Sequence, residues 1–282
     1  MITINVCGGL GNQMYMIFAG LSYSIDNKDN NVSMFFIESK RKHYIDTFFY
    51  KISHLFKEKH YIKNVKIIKD SKDLGYFHIP KYENISFNGY LQSYKFFEHN
   101  IDEILNIIDF DTLKKNTLKK YKNLFDSKCI NISLHFRYGD AKIKGKEHYH
   151  PIHDISYFIN SISRIIDILQ NNNFKIIVFY EEEDLSTIIN NIDIIQKKHN
   201  IKIQKIDTDI VDWEQMILMS LCDHNIIANS TFSWWGAYLN TNKHKIVTYP
   251  EKWFGNKIFE KFNEKQIDDR FPSNWIRISE NN

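Results

Sequence analysis

The 282-residue sequence contains few of the residues that mark several protein classes. Its three cysteines, Cys7, Cys129 and Cys222, are an odd number and lie in apolar segments, which predicts reduced thiols instead of a disulfide framework. No histidine stands at metal-ligand spacing from any of them. This usage excludes a small disulfide-stabilised secreted domain, and we expect a cytoplasmic protein.

The sequence also lacks an excess of either charge and any long apolar run. Lysine is spread along the chain and the formal net charge is only +3, so we expect no nucleic-acid partner. No apolar run approaches the length of a membrane span, and the first strand begins at residue 2, so we expect neither a transmembrane segment nor a signal peptide. The protein should be soluble, or peripheral to a membrane at most.

Strand-like runs alternate with helical periodicity along the chain. The runs lie at residues 2–6, 32–37, 64–68, 84–91, 130–136, 174–180, 201–206, 225–228 and 245–249, and helical spacing is clear over 155–169. This alternation predicts an α/β fold with parallel sheets covered on both faces. A helical stretch at 101–125 precedes a fresh strand, so we place a domain boundary there. We expect two doubly wound, Rossmann-like domains, 1–126 and 127–282, that face each other across a cleft.

The stretch VCGGLGNQMYMIFAG, residues 6–20, runs from a strand through a glycine turn into a helix. A dinucleotide fingerprint requires a third glycine where Met14 stands, and a phosphate loop requires lysine and a hydroxyl residue where Asn12 and Gln13 stand. Both are excluded. What remains is a turn that presents backbone N–H groups and two side-chain amides, which suits a hydroxyl-rich ligand such as a sugar. An ordinary glycine turn with a capping asparagine explains this stretch alone equally well.

The stretch ISLHFRYGD, residues 132–140, ends a buried strand in polar side chains. His135 and Arg137 are two residues apart, so an extended strand points them to one face. A guanidinium at a strand end can bind a phosphate with two parallel N–H donors. Asp140 is placed to orient Arg137 or to accept a hydroxyl. From these residues alone, a strand-end salt bridge is the alternative.

The stretch NIIANSTFSWWGAYL, residues 225–239, runs from a strand into hydroxyl residues and then an aromatic helix. Hydroxyl side chains cap helix N-termini, and the N–H groups exposed there also bind anions. Simple capping remains the alternative. We expect Trp234 and Trp235 to belong to the core.

Taken together, the motifs GGLGNQM, HFRYGD and NSTFSWWGAYLN resemble, in this order and spacing, the α-1,2-fucosyltransferases of glycosyltransferase family 11. The resemblance covers nearly the whole chain, because it continues through GYLQSYKFF (89–97), YHPIHDISYFINSI (149–162), MSLCDHNIIANS (219–230) and FPSNWIRI (271–278). It implies a GT-B-type fold. It also implies inverting transfer of L-fucose from GDP-β-L-fucose to a glycan hydroxyl, such as the 2-OH of a galactose, in an α-1,2 linkage.

The resemblance also implies roles for individual residues. Arg137 would hold the β-phosphate of a donor bound mainly on the C-terminal half, and His135 and Asp140 are the other candidate catalytic residues. Further donor contacts are expected from the turn formed by Ser230, Thr231, Phe232 and Ser233. The wall near the transferred sugar and the acceptor is expected to consist of Gly9, Leu10, Gly11, Asn12 and Gln13.

The chain departs from the family pattern at two places. Tyr138 stands where the family carries a second arginine, and the loss of that cation either weakens donor binding or only alters the packing. Tyr180, Glu181 and Glu182 replace a Ser-Asp-Asp, which leaves the two glutamates as candidate contacts to guanine or ribose. Glu214 is another candidate for that contact.

The triplet DTD at 207–209 resembles the Asp-x-Asp that binds metal in other glycosyltransferases, but acids are favoured before a helix in any case. We expect no metal and no other cofactor, because Arg137 and helix-terminal N–H groups can neutralise a leaving diphosphate. The acceptor hydroxyl needs a base, for which Asp140 and His135 are the candidates. Two alternatives stay open: a transferase for another GDP-deoxysugar, and an inactive carbohydrate-binding protein.

Overall fold

The structure is a computed structural model, and it describes residues 1–37, 41–58, 63–71, 75–139, 150–171, 173–256 and 268–280. The strands are β1 (Ile2–Val6), β2 (Val32–Phe36), β3 (Lys66–Ile68), β4 (Ile85–Phe87), β5 (Ile130–His135), β6 (Phe174–Phe179), β7 (Lys202–Lys205), β8 (His224–Ile226), β9 (Val247–Pro250) and β10 (Ile276–Ile278). The α-helices are α1 (Leu10–Asn27), α2 (Ile101–Ile107), α3 (Phe110–Tyr121), α4 (Ile155–Leu169), α5 (Leu185–His199), α6 (Asp212–Ser220) and α7 (Thr231–Tyr238). Strands alternate with helices, which confirms the predicted α/β class.

The chain forms two compact units, each with its own parallel sheet. The first comprises Met1–Lys115 and Lys261–Pro272, and the second comprises Asn116–Glu260 and Ser273–Asn282. The sheet of the first unit has the strand order β2-β1-β4-β3, and that of the second has the order β10-β9-β8-β5-β6-β7. These are the two parallel sheets predicted for a GT-B-type fold. The chain passes from the first unit to the second within α3, upstream of the boundary predicted after residue 126. The cleft between the two units stays a prediction.

Each sheet reverses its strand order beside the strand that opens its unit. In the first sheet β1 lies between β2 and β4, and in the second β5 lies between β6 and β8. Open parallel sheets bind ligands outside the carboxyl ends of their strands at such a reversal point. The GGLGNQ turn follows β1 and the HFRYG turn follows β5. Each of these two motifs therefore lies at the reversal point of its own sheet.

The core of each unit follows from strands that are covered on both faces. In the first unit, Ile4 of β1 is fully buried, and a Cβ added to Gly20 of α1 would lie 2.2 Å from the Cδ1 atom of Ile4. Only glycine lets the helix approach that closely. In the second unit, Trp234 and Trp235 of α7 are 1% and 0% exposed, which confirms that they are core residues.

Two predictions of local structure are wrong, and one strand was missed. The strand predicted over 84–91 ends at Phe87, because the Asp70 carboxylate accepts the backbone N–H groups of Tyr90 (2.9 Å) and Leu91 (2.7 Å) and so holds a turn there. The helical stretch at 101–125 is broken at Asp109, whose φ of 56° ends α2 before α3 begins. Strand β10 was not predicted, since its three residues are too short to show a period.

The cysteines are free thiols, as predicted, but only Cys222 is buried, whereas Cys7 and Cys129 are half-buried. Burial raises the pKa of the Cys222 thiol well above its ordinary range, so this thiol is held in the neutral form. Over the described ranges, the structure contains no helix that is both long enough and apolar enough to cross a membrane.

Candidate functional site

Strand β5 brings His135 to the carboxyl edge of the second sheet. His135 pairs in register with Phe179 of β6 and is 8% exposed. Phe136 follows in the core, and its backbone N–H donates to the carbonyl of Phe179 at 2.9 Å. Arg137 comes next at a half-buried position, where the chain leaves the sheet. The end of β5 therefore carries one imidazole, that of His135, and one cation, that of Arg137.

The imidazole of His135 is neutral in the folded protein. Burial and then the positive charge of Arg137 lower the pKa of His135 to about 3, while the carboxylate of Asp184 acts in the opposite direction. Its buried Nδ1 atom makes no hydrogen bond within the part of the chain that the structure describes. A ring with such a pKa is a weak proton acceptor near neutral pH, so the geometry disfavours His135 as the general base. It suits the neutral ring as a hydrogen-bond partner of a ligand.

The segment after β8 reaches α7 through a cap made by its own hydroxyl groups. The Oγ atom of Ser230 accepts the backbone N–H of Phe232 at 3.3 Å, and the Oγ atom of Ser233 lies 3.4 Å from the carbonyl oxygen of Ala228. Thr231 begins the helix at a half-buried position. The predicted capping is therefore present. The hydroxyl groups of the two serines make hydrogen bonds to the backbone. The feature of this segment that would bind an anion is therefore the N-terminus of α7.

The rings of His135 and Phe232 lie together, with their centroids 5.8 Å apart. The first belongs to the end of β5 and the second to the start of α7, which follows β8. Two motifs that are far apart in the sequence are thus adjacent at the reversal point of the second sheet.

A buried carboxylate that the sequence analysis missed, Asp184, holds the turn after Arg137. Asp184 is 1% exposed, and its Oδ2 atom accepts the backbone N–H groups of Tyr138 and Gly139, both at 3.2 Å. It ends the short 3-10 helix that follows β6. The sequence indicates Asp184 only through the acidic run 181–184. The first two acids of that run, Glu181 and Glu182, are the ones predicted as donor contacts.

The two selected glutamates lie at the same edge of the sheet and are exposed. A Cβ added to Gly139 would lie 2.6 Å from the Oε2 atom of Glu181, so the glutamate packs where glycine leaves space. The Oε2 atom of Glu182 accepts the hydroxyl of Thr208 at 2.6 Å. Glu181 therefore lies beside the HFRYG turn, and Glu182 contacts the loop after β7. Their contact to guanine or ribose stays a prediction.

The DTD triplet forms an ordinary local turn. The Oδ1 atom of Asp207 accepts the backbone N–H of Asp209 at 3.0 Å. Among the residues described, no group of three or more His, Cys, Asp and Glu side chains is arranged to hold a metal ion. The independence from metal that we expect stays a prediction.

Tyr138, which replaces the second arginine of the family, points into the core. It is 4% exposed, its ring stacks on Phe136 with the centroids 6.0 Å apart, and its hydroxyl accepts the Nδ2 group of Asn191 on α5 at 2.7 Å. Burial raises the pKa of Tyr138 to about 12, so the phenol stays neutral. The residue thus joins β5 to α5.

Glu214 of α6 is bound to α3. Its two carboxylate oxygens lie 3.1 and 2.9 Å from Nζ of Lys120, and the hydroxyl of Tyr121 donates to Oε2 at 2.7 Å. Both oxygens are engaged within the second unit. The geometry therefore favours a structural role over the predicted contact to the nucleotide.

In the first unit, the GGLGNQ turn separates into buried and accessible parts. Leu10, Gly11 and Gln13 are buried, and Nε2 of Gln13 donates to the carbonyls of Gly8 and Lys42, both at 2.8 Å. Gln13 therefore holds the turn together. Gly9, the N-cap of α1, and Asn12 are half-buried, so they are the members of the predicted set that a ligand can reach.

Asp140, the remaining predicted residue, lies outside the described residues.

The comparisons with known proteins agree on one family. The chain matches the sequence profile described as glycosyl transferase family 11 over residues 1–279. It is 35% identical over 140 residues to the O-antigen biosynthesis glycosyltransferase WbnK of Escherichia coli, with 49% of this chain and 44% of that protein covered. It is 29% identical over 199 residues to the alpha-1,2-colitosyltransferase of Escherichia coli, with 69% and 63% covered. The matched part therefore spans less than two-thirds of either relative.

Two solved structures show a distant similarity. The E. coli ADP-heptose LPS heptosyltransferase II has a TM-score of 0.36 at 12% identity, with 58% of this chain and 42% of that chain covered. The glycosyl transferase of family 9 from Veillonella parvula has a TM-score of 0.38 at 8% identity, with 93% and 67% covered. The assignment comes from the family profile, which covers almost every residue and confirms the resemblance carried by the motifs: the chain is a member of glycosyl transferase family 11.

Proposed function

We propose that the protein transfers L-fucose from GDP-β-L-fucose to a hydroxyl of a glycan acceptor, with inversion, in an α-1,2 linkage. The observation that carries the proposal lies at the reversal point of the second sheet, where the neutral ring of His135 contacts Phe232 at the start of α7 and Arg137 follows His135 by two residues. A helix N-terminus and a guanidinium are the groups that bind a diphosphate. Asp184, a buried acid beside this cluster, uses its Oδ2 atom to accept two backbone N–H groups.

In the proposed reaction, the bond between the anomeric carbon of the sugar and the phosphate oxygen breaks as the bond to the acceptor oxygen forms. Positive charge develops on the sugar and negative charge on GDP. Arg137 and the N–H groups at the start of α7 stabilise the developing anion, and the ring N–H of neutral His135 donates to the same group. The acceptor proton goes to a base, and Asp140 is the remaining candidate because the pKa of His135 is lowered to about 3.

A second candidate keeps the reaction and changes the sugar to another deoxysugar on GDP. The likeness to a protein named alpha-1,2-colitosyltransferase favours it, because the two chains align over 199 residues. The nucleotide-facing groups proposed here are the same for both donors, so the choice of sugar depends on other contacts.

The decisive experiment offers purified protein a panel of GDP-sugars and UDP-sugars, with lactose as acceptor, and identifies products by mass spectrometry and NMR. We expect transfer from GDP-L-fucose and a product with an α-1,2 linkage. GDP should raise the melting temperature and UDP should raise it much less, because a ligand that binds only the native state stabilises it. Transfer from a UDP-sugar alone, or equal melting shifts with the two nucleotides, would contradict the proposal.

A further inference from the structure

Within the first unit, a chain of three hydrogen-bonded side chains connects Arg270 to the glycine turn. Nη1 of Arg270 donates to Oε1 of Gln92, and Nε2 of Gln92 donates to Oδ1 of Asn12 at 2.9 Å. Gln92 follows β4 and Asn12 lies in the first turn of α1, after β1. The chain of hydrogen bonds therefore spans the reversal point of the first sheet.

The direction of these hydrogen bonds is determined at the arginine. A guanidinium has donors and no acceptor, so Gln92 must turn its oxygen toward Arg270 and its amino group toward Asn12. Asn12 must in turn present its oxygen to Gln92, which directs its own amino group toward the glycine turn. The position of that group agrees, since a Cβ added to Gly8 would lie 2.8 Å from Nδ2 of Asn12.

The arginine is well suited to impose this direction, because it is buried and charged. Arg270 is 3% exposed, and burial lowers its pKa to about 10, so it still carries its proton at neutral pH. The preceding residue anchors the segment: the carboxylate of Asp269 pairs with Lys95 and accepts the backbone N–H of Tyr76 at 3.0 Å. These contacts fix the backbone from which the guanidinium extends.

We propose that Arg270 is a positioning residue for sugar recognition by the first unit. Through Gln92 it directs the amino group of Asn12 toward the glycine turn, where this group donates to a hydroxyl oxygen of the bound sugar. This inference rests on the proposed function, since glycosyl transfer brings a sugar hydroxyl to this turn. It assigns a role to the arginine that directly precedes the closing motif FPSNWIRI.

The substitution Gln92→Glu tests the relay with almost no change in shape. It keeps an oxygen for Arg270 but places a second oxygen against Oδ1 of Asn12, so the Asn12 amide must turn over. We expect the KM for lactose, with GDP-L-fucose as donor, to rise about tenfold, which corresponds to about 1.4 kcal/mol. The Kd for GDP should not change. The matched control is Gln215→Glu in the second unit, where Nε2 of Gln215 donates to the carbonyl of Ile210 at 2.7 Å.

A second readout does not depend on activity. In 15N-labelled protein, the side-chain amide protons of Asn12 should show nuclear Overhauser contacts to the Hα protons of Gly8, and these contacts should disappear in Gln92→Glu and in Arg270→Met. Contacts that persist in Gln92→Glu would overturn the relay. Lost contacts with an unchanged KM would overturn the role in recognition. If the wild-type protein transfers no sugar, the proposed function fails, and the nuclear Overhauser contacts still decide whether the relay exists.

Discussion

The aromatic ring of Phe232 lies against the imidazole of His135, with 5.8 Å between the ring centroids. Because Ser230 caps α7 at the N–H of Phe232, the contact links the start of that helix to the end of β5. The parts proposed to bind a diphosphate are thus held together by packing before any ligand binds. Preorganisation of this kind is what stabilises developing charge at low cost.

The first prediction concerns Arg137. Arg137→Ala should reduce the rate of transfer on the order of 10²–10³, the effect of removing one preorganised donor to a developing anion. Arg137→Lys should be almost as damaging, because lysine keeps the charge but loses the planar fork. The control is Arg164→Ala on the exposed face of α4. Near-normal turnover by folded Arg137→Ala protein would refute the assignment.

The second prediction compares the two carboxylates that hold the ends of β5. Asp184 binds the backbone after the strand, and the Oδ2 atom of Asp223 accepts the backbone N–H of Asn131 at 2.8 Å near its start. Replacing either by alanine should lower the free energy of unfolding by about 1–3 kcal/mol. Only Asp184→Ala should also weaken GDP binding, measured by calorimetry, because only that carboxylate holds the Arg137 turn. Equal GDP affinities in the two variants would limit Asp184 to a structural role.

The third prediction concerns the buried phenol of Tyr138. Tyr138→Phe removes the hydrogen bond from Asn191 and should lower the free energy of unfolding by about 1 kcal/mol, with no change in GDP affinity. Tyr138→Arg restores the family residue, but it places a charge at a position that is 4% exposed and should destabilise the protein by more. Denaturant unfolding of the two variants measures both effects. Tighter GDP binding by a stable Tyr138→Arg protein would show that the side chain can reach the ligand.

The fourth prediction follows from the lowered pKa of His135, about 3 when folded against an ordinary value of about 6.5. Between those values the unfolded chain binds a proton that the folded protein does not. The neutral His135 therefore lowers the free energy of unfolding by nothing above about pH 6.5. As the pH falls from there toward 3, its unfavourable protonation lowers the free energy of unfolding progressively. His135→Gln should flatten the decline in unfolding free energy between pH 6.5 and 4, as measured at about 25 °C. If the imidazole of His135 were charged in the folded state, His135→Gln would leave the slope unchanged.

The fifth prediction concerns metal. Transfer should continue in EDTA, because the groups proposed to face the diphosphate are a guanidinium, a neutral imidazole and backbone N–H groups. Two results together would make the DTD triplet a metal site. Activity would have to be lost in EDTA and restored by manganese, and the Asp209→Asn variant would have to lack the manganese-restored activity.

Local patterns in the sequence sufficed for most of the elements and for the positions of the motifs. Helix α4 begins and ends where the apolar spacing over 155–169 predicts, because a helical period depends only on neighbouring residues. The family assignment likewise needed only motifs in order. What these patterns could not supply was the end of β4, where a carboxylate from residue 70 turns the chain.

The roles of single polar side chains depended on contacts between distant residues. Nothing near Tyr138 in the sequence indicates that its hydroxyl meets Asn191, and nothing near Glu214 indicates that Lys120 binds it. Likewise, the hydrogen bond from Arg270 to Gln92 joins residues that are 178 positions apart in the sequence. Residue types and local periodicity therefore specify which strands and helices form and which chemistry is available. Strand order and packing specify which of those side chains are buried, which are bonded and which face a ligand, because these properties arise only when separate segments come together.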